Sequence, residues 1–443
     1  MVMDVELQVL KHLARDAQST TRVIDEYCAE YKDIFKEVRS YECFKYLHLG
    51  IIAPIPRKSL PEIAKVVAIK SAQSLHHFIA KSPWSVSKLK ERRLSKILKE
   101  LNGKTITLVI DETGDRKKGK KTDYVSRQYL GSVGKVDNGI VSVNGYGVYD
   151  NITFPLICKI FKPKGTLKES DEYKTKIEIA TEIITELINY GFQIELVLAD
   201  SLYGESREFI KTLDKYQLPY IVSIRSNHSV WMTSEESVRA NEWCKFERTF
   251  SDGKSETRYV REIIYGQKRA ATYWEITTDP ETMPSNSTSF VKTNIQGKVQ
   301  ENVGNLYGLR TWVEYGFRQC KQELGWTDYR FTSFEDIEKW WEIIFCAYTM
   351  ISLSSPAFLS LNVCHQSQSP IKNNSVDFSI HQQWNHEGGW KNTLNNLRLV
   401  IQPILICWLI YPWLEIFPNS NLLLGLNHLI DKMNQFQPFY SSG

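Results

Sequence analysis

The chain has 443 residues, of which 42% are apolar and 24% charged. That is ample for a folded protein of about two to four structural units and excludes a disordered chain. A formal net charge of +4 excludes a uniformly basic coat. The eight cysteines form no C-x-x-C pair, which excludes a zinc ribbon or a secreted disulfide scaffold and suits a reducing cytoplasm.

The opening, Val5 to Val38, repeats apolar residues at helical spacing (Val5, Leu7, Leu10, Leu13), and Met1 to Leu10 is too polar for a signal peptide. Ser59 is placed to cap a helix starting at Leu60, with Pro61 in its first turn, and Ser71 to cap a second through Leu75, Phe78 and Ile79. A basic stretch, Lys88 to Lys99, follows, and the three pieces together resemble a helix-turn-helix unit. Positive charge concentrates here. Arg57 to Lys104 holds 12 Lys/Arg against 3 Asp/Glu, whereas the first 56 residues hold seven bases and nine acids. Such a block suits a polyanionic partner, and Lys88, Lys90, Arg92 and Arg93 are its expected DNA contacts.

Character changes at Gly103. Thr105 to Asp111 reads as a buried strand ending on an acid. Ser126–Gly131, Ile140–Tyr149 and Leu156–Phe161 read as further strands, and Asp171 to Tyr190 as an amphipathic helix. Ile194 to Asp200 is a second strand ending on an acid, followed by a helix from Ser206 to Tyr216 and a strand from Tyr220 to Ile224. This alternation indicates a mixed α/β sheet. From Arg225 to Asn305 the pattern turns β-rich, with strands at Thr257–Tyr265, Arg269–Thr277 and Ser289–Ile295 and turns at Ser251-Asp-Gly-Lys and Tyr265-Gly-Gln. Tyr307 opens a helix to about Leu324, and Glu335 to Leu353 is another. The rest is expected to be helical with polar loops such as Gln366 to Asn374. The apolar run Val400 to Phe417 is interrupted by Gln402, Pro403, Pro412 and Glu415, which favours a buried helix pair over a membrane span. The resulting division is 1–104, 105–224, 225–305, 306–360 and 361–443.

Asp111 and Asp200 at strand C-termini occupy the edge where open α/β sheets bind ligands. Two neighbouring carboxylates repel, and a divalent cation is the simplest species to hold them together. Glu112 faces away from Asp111 along a strand and is excluded as a ligand. On a regular helix, Tyr307, Arg310, Glu314 and Lys321 share one ~60° stripe with Arg318 beside it. That stripe reads either as a solvated face of i,i+4 pairs or as a metal-binding acid among groups that grip phosphates.

The spacing Tyr307-x2-Arg310-x3-Glu314-x6-Lys321 resembles the Y-R-E-K signature of DDE transposases from bacterial insertion sequences. Ile110-Asp-Glu-Thr-Gly-Asp-Arg-Lys-Lys-Gly119, Arg127 to Asn138 and Leu198-Ala-Asp-Ser-Leu-Tyr-Gly204 are similar to that group's first-Asp and second-Asp segments, in the same order. The resemblance spans roughly Lys58 to Leu353 and implies a ribonuclease-H-like fold with a β-rich insertion. It also implies two Mg²⁺ ions, replaceable by Mn²⁺, on Asp111, Asp200 and Glu314, with phosphoryl transfer at the element's ends. Tyr307, Arg310, Arg318 and Lys321, and also Lys117 and Lys118, would hold phosphates of double-stranded DNA, at terminal inverted repeats and target alike. In relatives an insertion tryptophan can stack on a flipped base; Trp274 and Trp243 are the residues to examine, beside a plain core role. A homodimer is expected, because two ends must meet, and the C-terminal region is a candidate for its interface. A nuclease sharing the fold and a non-cutting repeat-binding protein are the competing readings.

Overall fold

The computed structural model describes residues 15–131, 133–150, 152–249, 255–266, 270–296, 300–365 and 389–435. The apolar repeat Val5 to Leu13, the turn Ser251 to Lys254 and the polar loop Gln366 to Asn374 lie outside these residues. The chain divides into two compact units: one is Leu101–Phe317, and the other joins Met1–Glu100 to Arg318–Gly443. The regions 1–104 and 361–443, read separately from sequence, thus contribute to one helical unit.

In that helical unit α1 (Arg22–Ala29), α2 (Val38–Ile52), α3 (Leu60–Val66), α4 (Gln73–Ala80) and α5 (Val86–Leu101) come from the N-terminal segment. Every residue of α2 from Ser40 to Ile52 is buried, so α2 is the axis around which the others pack. Ser59 holds the N-cap position of α3 with Pro61 in its first turn, but its hydroxyl makes no cap hydrogen bond. Ala72, not Ser71, is the N-cap of α4, and the Ser71 hydroxyl accepts from the Gln73 amide at 3.1 Å. The C-terminal segment closes the unit with α11 (Phe334–His365), α12 (Trp390–Ile416) and α13 (Ser420–Asn434). Tyr27 donates to the Cys346 carbonyl at 2.8 Å, and Arg93 of α5 pairs with Glu342 at 2.6 Å.

In the other unit, the strands of the described residues form one mixed sheet in the order β2-β3-β1-β5-β6-β11-β10-β9-β7, with β4 on β3 and β8 on β9. They are β1 (Ile106–Arg116), β2 (Ser126–Leu130), β3 (Lys135–Tyr149), β4 (Ile152–Phe161), β5 (Ile194–Ala199), β6 (Tyr220–Ile224), β7 (Val238–Ala240), β8 (Cys244–Thr249), β9 (Ser255–Tyr265), β10 (Thr272–Thr277) and β11 (Ser289–Thr293). β5 pairs parallel with β1 and β6, and the other pairings are antiparallel. This is the mixed α/β fold read from sequence, and it agrees with a ribonuclease-H-like core. The β-rich stretch does not stand apart: β11 pairs with β6, so its strands continue the core sheet.

Helix α6 (Lys176–Tyr190) starts five residues later than the apolar pattern suggested, because Thr175 and Glu178 form a reciprocal capping box. Between β5 and β6 lie the one-turn helix α7 (Ser201–Gly204) and α8 (Arg207–Lys215), the latter capped by the Ser206 hydroxyl. One cluster buries Val109, Leu198, Ile221, Trp274, Val291 and Val313, and so joins the core strands, the added strands and the helix that follows.

Candidate active site

Asp111 is the sixth residue of β1, not its last as the sequence reading had it. The antiparallel partner β3 carries the strand on to Arg116, pairing Asp111 with Asn144 and Arg116 with Gly139. The parallel pairing with β5, however, ends at Ile110 opposite Ala199. Asp111 and Asp200 therefore follow the last matched pair on adjacent strands, the edge at which open sheets present ligand-binding groups. Asp200 caps α7, its carboxylate accepting from the Leu202 amide at 2.9 Å.

The expected single helix from Tyr307 is interrupted. Helix α9 (Gln300–Gly308) and helix α10 (Thr311–Arg318) are separated by Leu309 and Arg310. Here the amides of Leu309, Arg310, Trp312 and Val313 each donate three residues back, to Leu306, Tyr307, Leu309 and Arg310. This tighter winding adds angle per residue, so the ideal stripe does not hold. A five-residue π-turn, Gln319–Glu323, then carries Lys321. Glu314 itself is exposed, but its helix packs close to the sheet. A Cβ on Gly316 would stand 2.7 Å from the Tyr146 ring, so glycine lets α10 approach β3, and Phe317 meets the same ring edge-on at 5.3 Å.

Arg310 links the two carboxylates. Its Nη1 donates to Asp111 Oδ2 at 3.2 Å and its Nη2 to Glu314 Oε1 at 3.3 Å. Asp111 Oδ1 also accepts from the Glu112 amide at 2.7 Å. Burial pushes the Asp111 carboxyl up to about 7; Asp200 and Glu314 add to the rise, while Arg310 and the Glu112 amide oppose it. Glu112 itself is engaged by Lys176 at 2.6 Å.

The family profile described as DDE superfamily endonuclease matches residues 33–243, and that described as transposase DDE domain matches residues 167–350. A probable transposase for the insertion sequence element IS701 of Microchaete diplosiphon is 53% identical over 325 residues, covering 73% of this chain and 86% of that protein. The chain belongs to the DDE transposases of insertion sequences. That places the transposase among enzymes whose substrate is DNA and whose family works with divalent cations.

The donor set of this transposase fits such a cation in kind, since Mg²⁺ prefers carboxylate oxygens. Asp111 and Asp200 follow the last matched pair of β1 and β5, and burial of Asp111 beside two other acids calls for a positive partner. Arg310 supplies one here. Among the described residues no three such side chains converge on one point, because the guanidinium lies between Asp111 and Glu314.

The remaining candidate residues have diverse surroundings. Tyr307 is half-buried against the unit's apolar cluster. Arg318 ends α10 and is exposed, and Lys321 lies in the π-turn. Lys117 pairs with Asp115 at 2.7 Å, whereas Lys118 is exposed. On α5, Lys88 is exposed and Lys90 half-buried; Arg92 forks onto Asp33 at 2.8 and 2.9 Å. Arg93 corrects the sequence reading: it is fully buried with Glu342 and lies over the Phe345 ring at 5.2 Å, so its charge serves the helical core and cannot reach DNA. Trp274 is likewise a core residue, buried with its Nε1 donating to Thr272 at 2.8 Å. Trp243 is half-buried under Arg261, 4.3 Å from its ring.

Two site neighbours were given no role in the sequence reading, although Tyr203 lies in the second-Asp segment. Asn144 stands opposite Asp111 on β3, fully buried, with no hydrogen-bond partner on Oδ1. Tyr203, three residues after Asp200, is fully buried against Phe209 with its hydroxyl unpartnered. The legible signal for Asn144 was one amide among Val141, Val143 and Gly145 in a run otherwise made for a buried strand.

Proposed function

We propose that this transposase binds the terminal inverted repeats of its element, cleaves the ends and joins the freed 3′-hydroxyls to target DNA. The reading is carried by one observation: Asp111 and Glu314, far apart in sequence, are brought to a single guanidinium beside the strand that leads to Asp200. Asp111 and Asp200 would hold two Mg²⁺ ions, or Mn²⁺ in their place, and Glu314 would complete the set on giving up its bond to Arg310. When bound, such ions supply Lewis-acid stabilisation and an activated attacking oxygen. The protein's own part is positional. β1 and β5 fix the two aspartates in register, Gly316 seats the Glu314 helix, and Arg310 presents a planar fork suited to a phosphate as well as to a carboxylate.

Tyr307, Arg318 and Lys321 join Arg310 in holding backbone phosphates near the cut. Lys117 and Lys118 do so from the loop after β1, and Lys88, Lys90 and Arg92 from α5. Phosphate contacts of this kind fix register and orientation more than sequence. Two copies act together, one per end.

The test is Mg²⁺-dependent cleavage of the element's own end DNA by wild type and Glu314→Ala, with binding assayed in parallel. Wild type cuts, and the variant binds within a few-fold of wild type without cutting. A variant that cuts as well as wild type puts the third acidic ligand elsewhere.

A further inference from the structure

Asn144 lies on β3 directly opposite Asp111 of the antiparallel strand β1. Opposed residues of such a pair stand on one face of the sheet, with Cβ atoms ~4.5–5.5 Å apart. The same face carries Tyr146, two residues on, against which Gly316 and Phe317 of α10 pack. Asn144 is therefore beside the first aspartate on the face that the Glu314 helix covers, and it is fully buried.

The orientation of its carboxamide is fixed by its own strand. One terminal atom lies 3.0 Å from the Ser142 carbonyl oxygen and 3.0 Å from the Ser142 hydroxyl. A carbonyl can only accept, so that atom is the NH₂ and the other is Oδ1. Oδ1 accepts from no group among the described residues. A buried oxygen left so bears its full desolvation cost, and in a native protein it marks strain, a water or an ion.

The neighbours favour an ion. On the β4 side Asn144 faces Cys158, whose thiol is a weak donor. On the β1 side it faces Asp111, whose carboxylate already draws on the Glu112 amide and Arg310 as donors. A carboxylate and a carboxamide oxygen side by side bring lone pairs and no proton to share. A hard divalent cation takes both, since Mg²⁺ binds oxygen ligands at ~2.0–2.1 Å and carbonyl oxygens suit Mg²⁺ and Mn²⁺ alike. A neutral donor also suits a place where acids already repel one another, because it adds an oxygen without adding charge.

We propose that Asn144 Oδ1 is a neutral oxygen ligand of the divalent cation held by Asp111. The proposal rests on the reading of Asp111 as a cation ligand, and it adds a donor from β3, a strand that bears none of the three acids.

The experiment is an electron-paramagnetic-resonance titration of Mn²⁺ into the full chain without DNA. Wild type is compared with Asn144→Leu, Asn144→Asp and Asn144→Ser, and with Asp111→Asn as the control. Metal-free melting, followed by circular dichroism, reports packing separately. Asn144→Leu keeps the branched shape, lacks the oxygen and weakens Mn²⁺ binding about tenfold or more. Asn144→Asp keeps an oxygen in place and binds Mn²⁺ at least as tightly as wild type, whatever its melting temperature. The hydroxyl of Asn144→Ser is too short to reach, so this variant repeats the loss and carries the test if leucine disturbs the fold. Wild-type Mn²⁺ affinity in the folded leucine or serine variant overturns the proposal and leaves Asp111 a ligand. An equal loss in the leucine and aspartate variants also overturns it, because Asn144 then serves packing. Unchanged Mn²⁺ binding by Asp111→Asn overturns the reading of the acids and the proposal with it.

Discussion

Arg310 and Asp111, 199 positions apart in sequence, meet through one hydrogen bond of 3.2 Å. A guanidinium held there uses an oxygen that a divalent cation also needs, and its second branch holds Glu314 in the same way. Arg310 and metal therefore compete in the protein alone. Arg310→Ala should raise Mn²⁺ affinity several-fold in an electron-paramagnetic-resonance titration without DNA, and should weaken end binding through loss of a phosphate contact. Weaker Mn²⁺ binding would falsify the competition and make Arg310 an organiser of the acids.

The Asp111 carboxyl, pushed up to about 7, gives a stability signature. An acid whose folded pKa lies above its unfolded value near 3.9 keeps its proton longer when folded. Its contribution is thus fully present below about pH 4 and lost as pH rises through 7. Without divalent ions, thermal stability should fall over that window by more in wild type than in Asp111→Asn. Added Mg²⁺ should recover most at pH 8, where the carboxylate is ionised. Identical pH profiles for the two proteins would place the titration elsewhere.

Arg93 and Glu342 form a buried pair, 0% and 8% exposed. Removing one partner strands the other, at a cost of ~3–5 kcal/mol, whereas an apolar pair of similar volume is often neutral. Arg93→Met should lower the denaturation midpoint sharply, and Arg93→Met with Glu342→Leu should recover most of the loss. Loss of DNA affinity in a folded Arg93→Met protein would return this residue to the DNA contacts.

Gly204 ends the turn after Asp200. A Cβ there would stand 2.0 Å from the Ser223 carbonyl and 3.0 Å from Val222 Cβ, and the first of these is backbone that cannot swing aside. Gly204→Ala should cost about 1–3 kcal/mol and displace the Asp200 turn from β6. Cleavage should fall further than end binding, which paired kinetics and gel-shift measurements would separate.

The parts of this fold that were legible in sequence obey local rules. Leu196–Ala199 and Tyr220–Val222 are continuous apolar runs, buried throughout, and parallel strands buried on both faces need that composition. What escaped depends on partners distant in sequence. The length of β1 beyond Asp111 is set by β3, which no pattern in Glu112 to Arg116 announces. The tight winding at Leu309 and Arg310 breaks a spacing that fits a regular helix, with only Gly308 to mark it. Arg93 sits among exposed bases in sequence, and only the arrival of Glu342 makes it interior. β8 alternates Lys245 and Glu247 with Cys244 and Phe246, a period that polar composition disguised. The acidic residues themselves were readable, because a carboxylate next to a buried strand is conspicuous whatever the strand's length.

The helical unit is assembled from both ends of the chain, while the sheet unit is continuous. During synthesis the first hundred residues must wait for the segment beginning at Arg318, an interval of roughly ten to forty seconds at ~5–20 residues per second. Throughout it Arg93 has no Glu342, and α2 lacks the helices that bury it. A gene copy truncated before that segment yields a chain whose sheet can close and whose basic helices cannot. Such a copy lacks the folded basic-helix unit with which to compete for the element's ends.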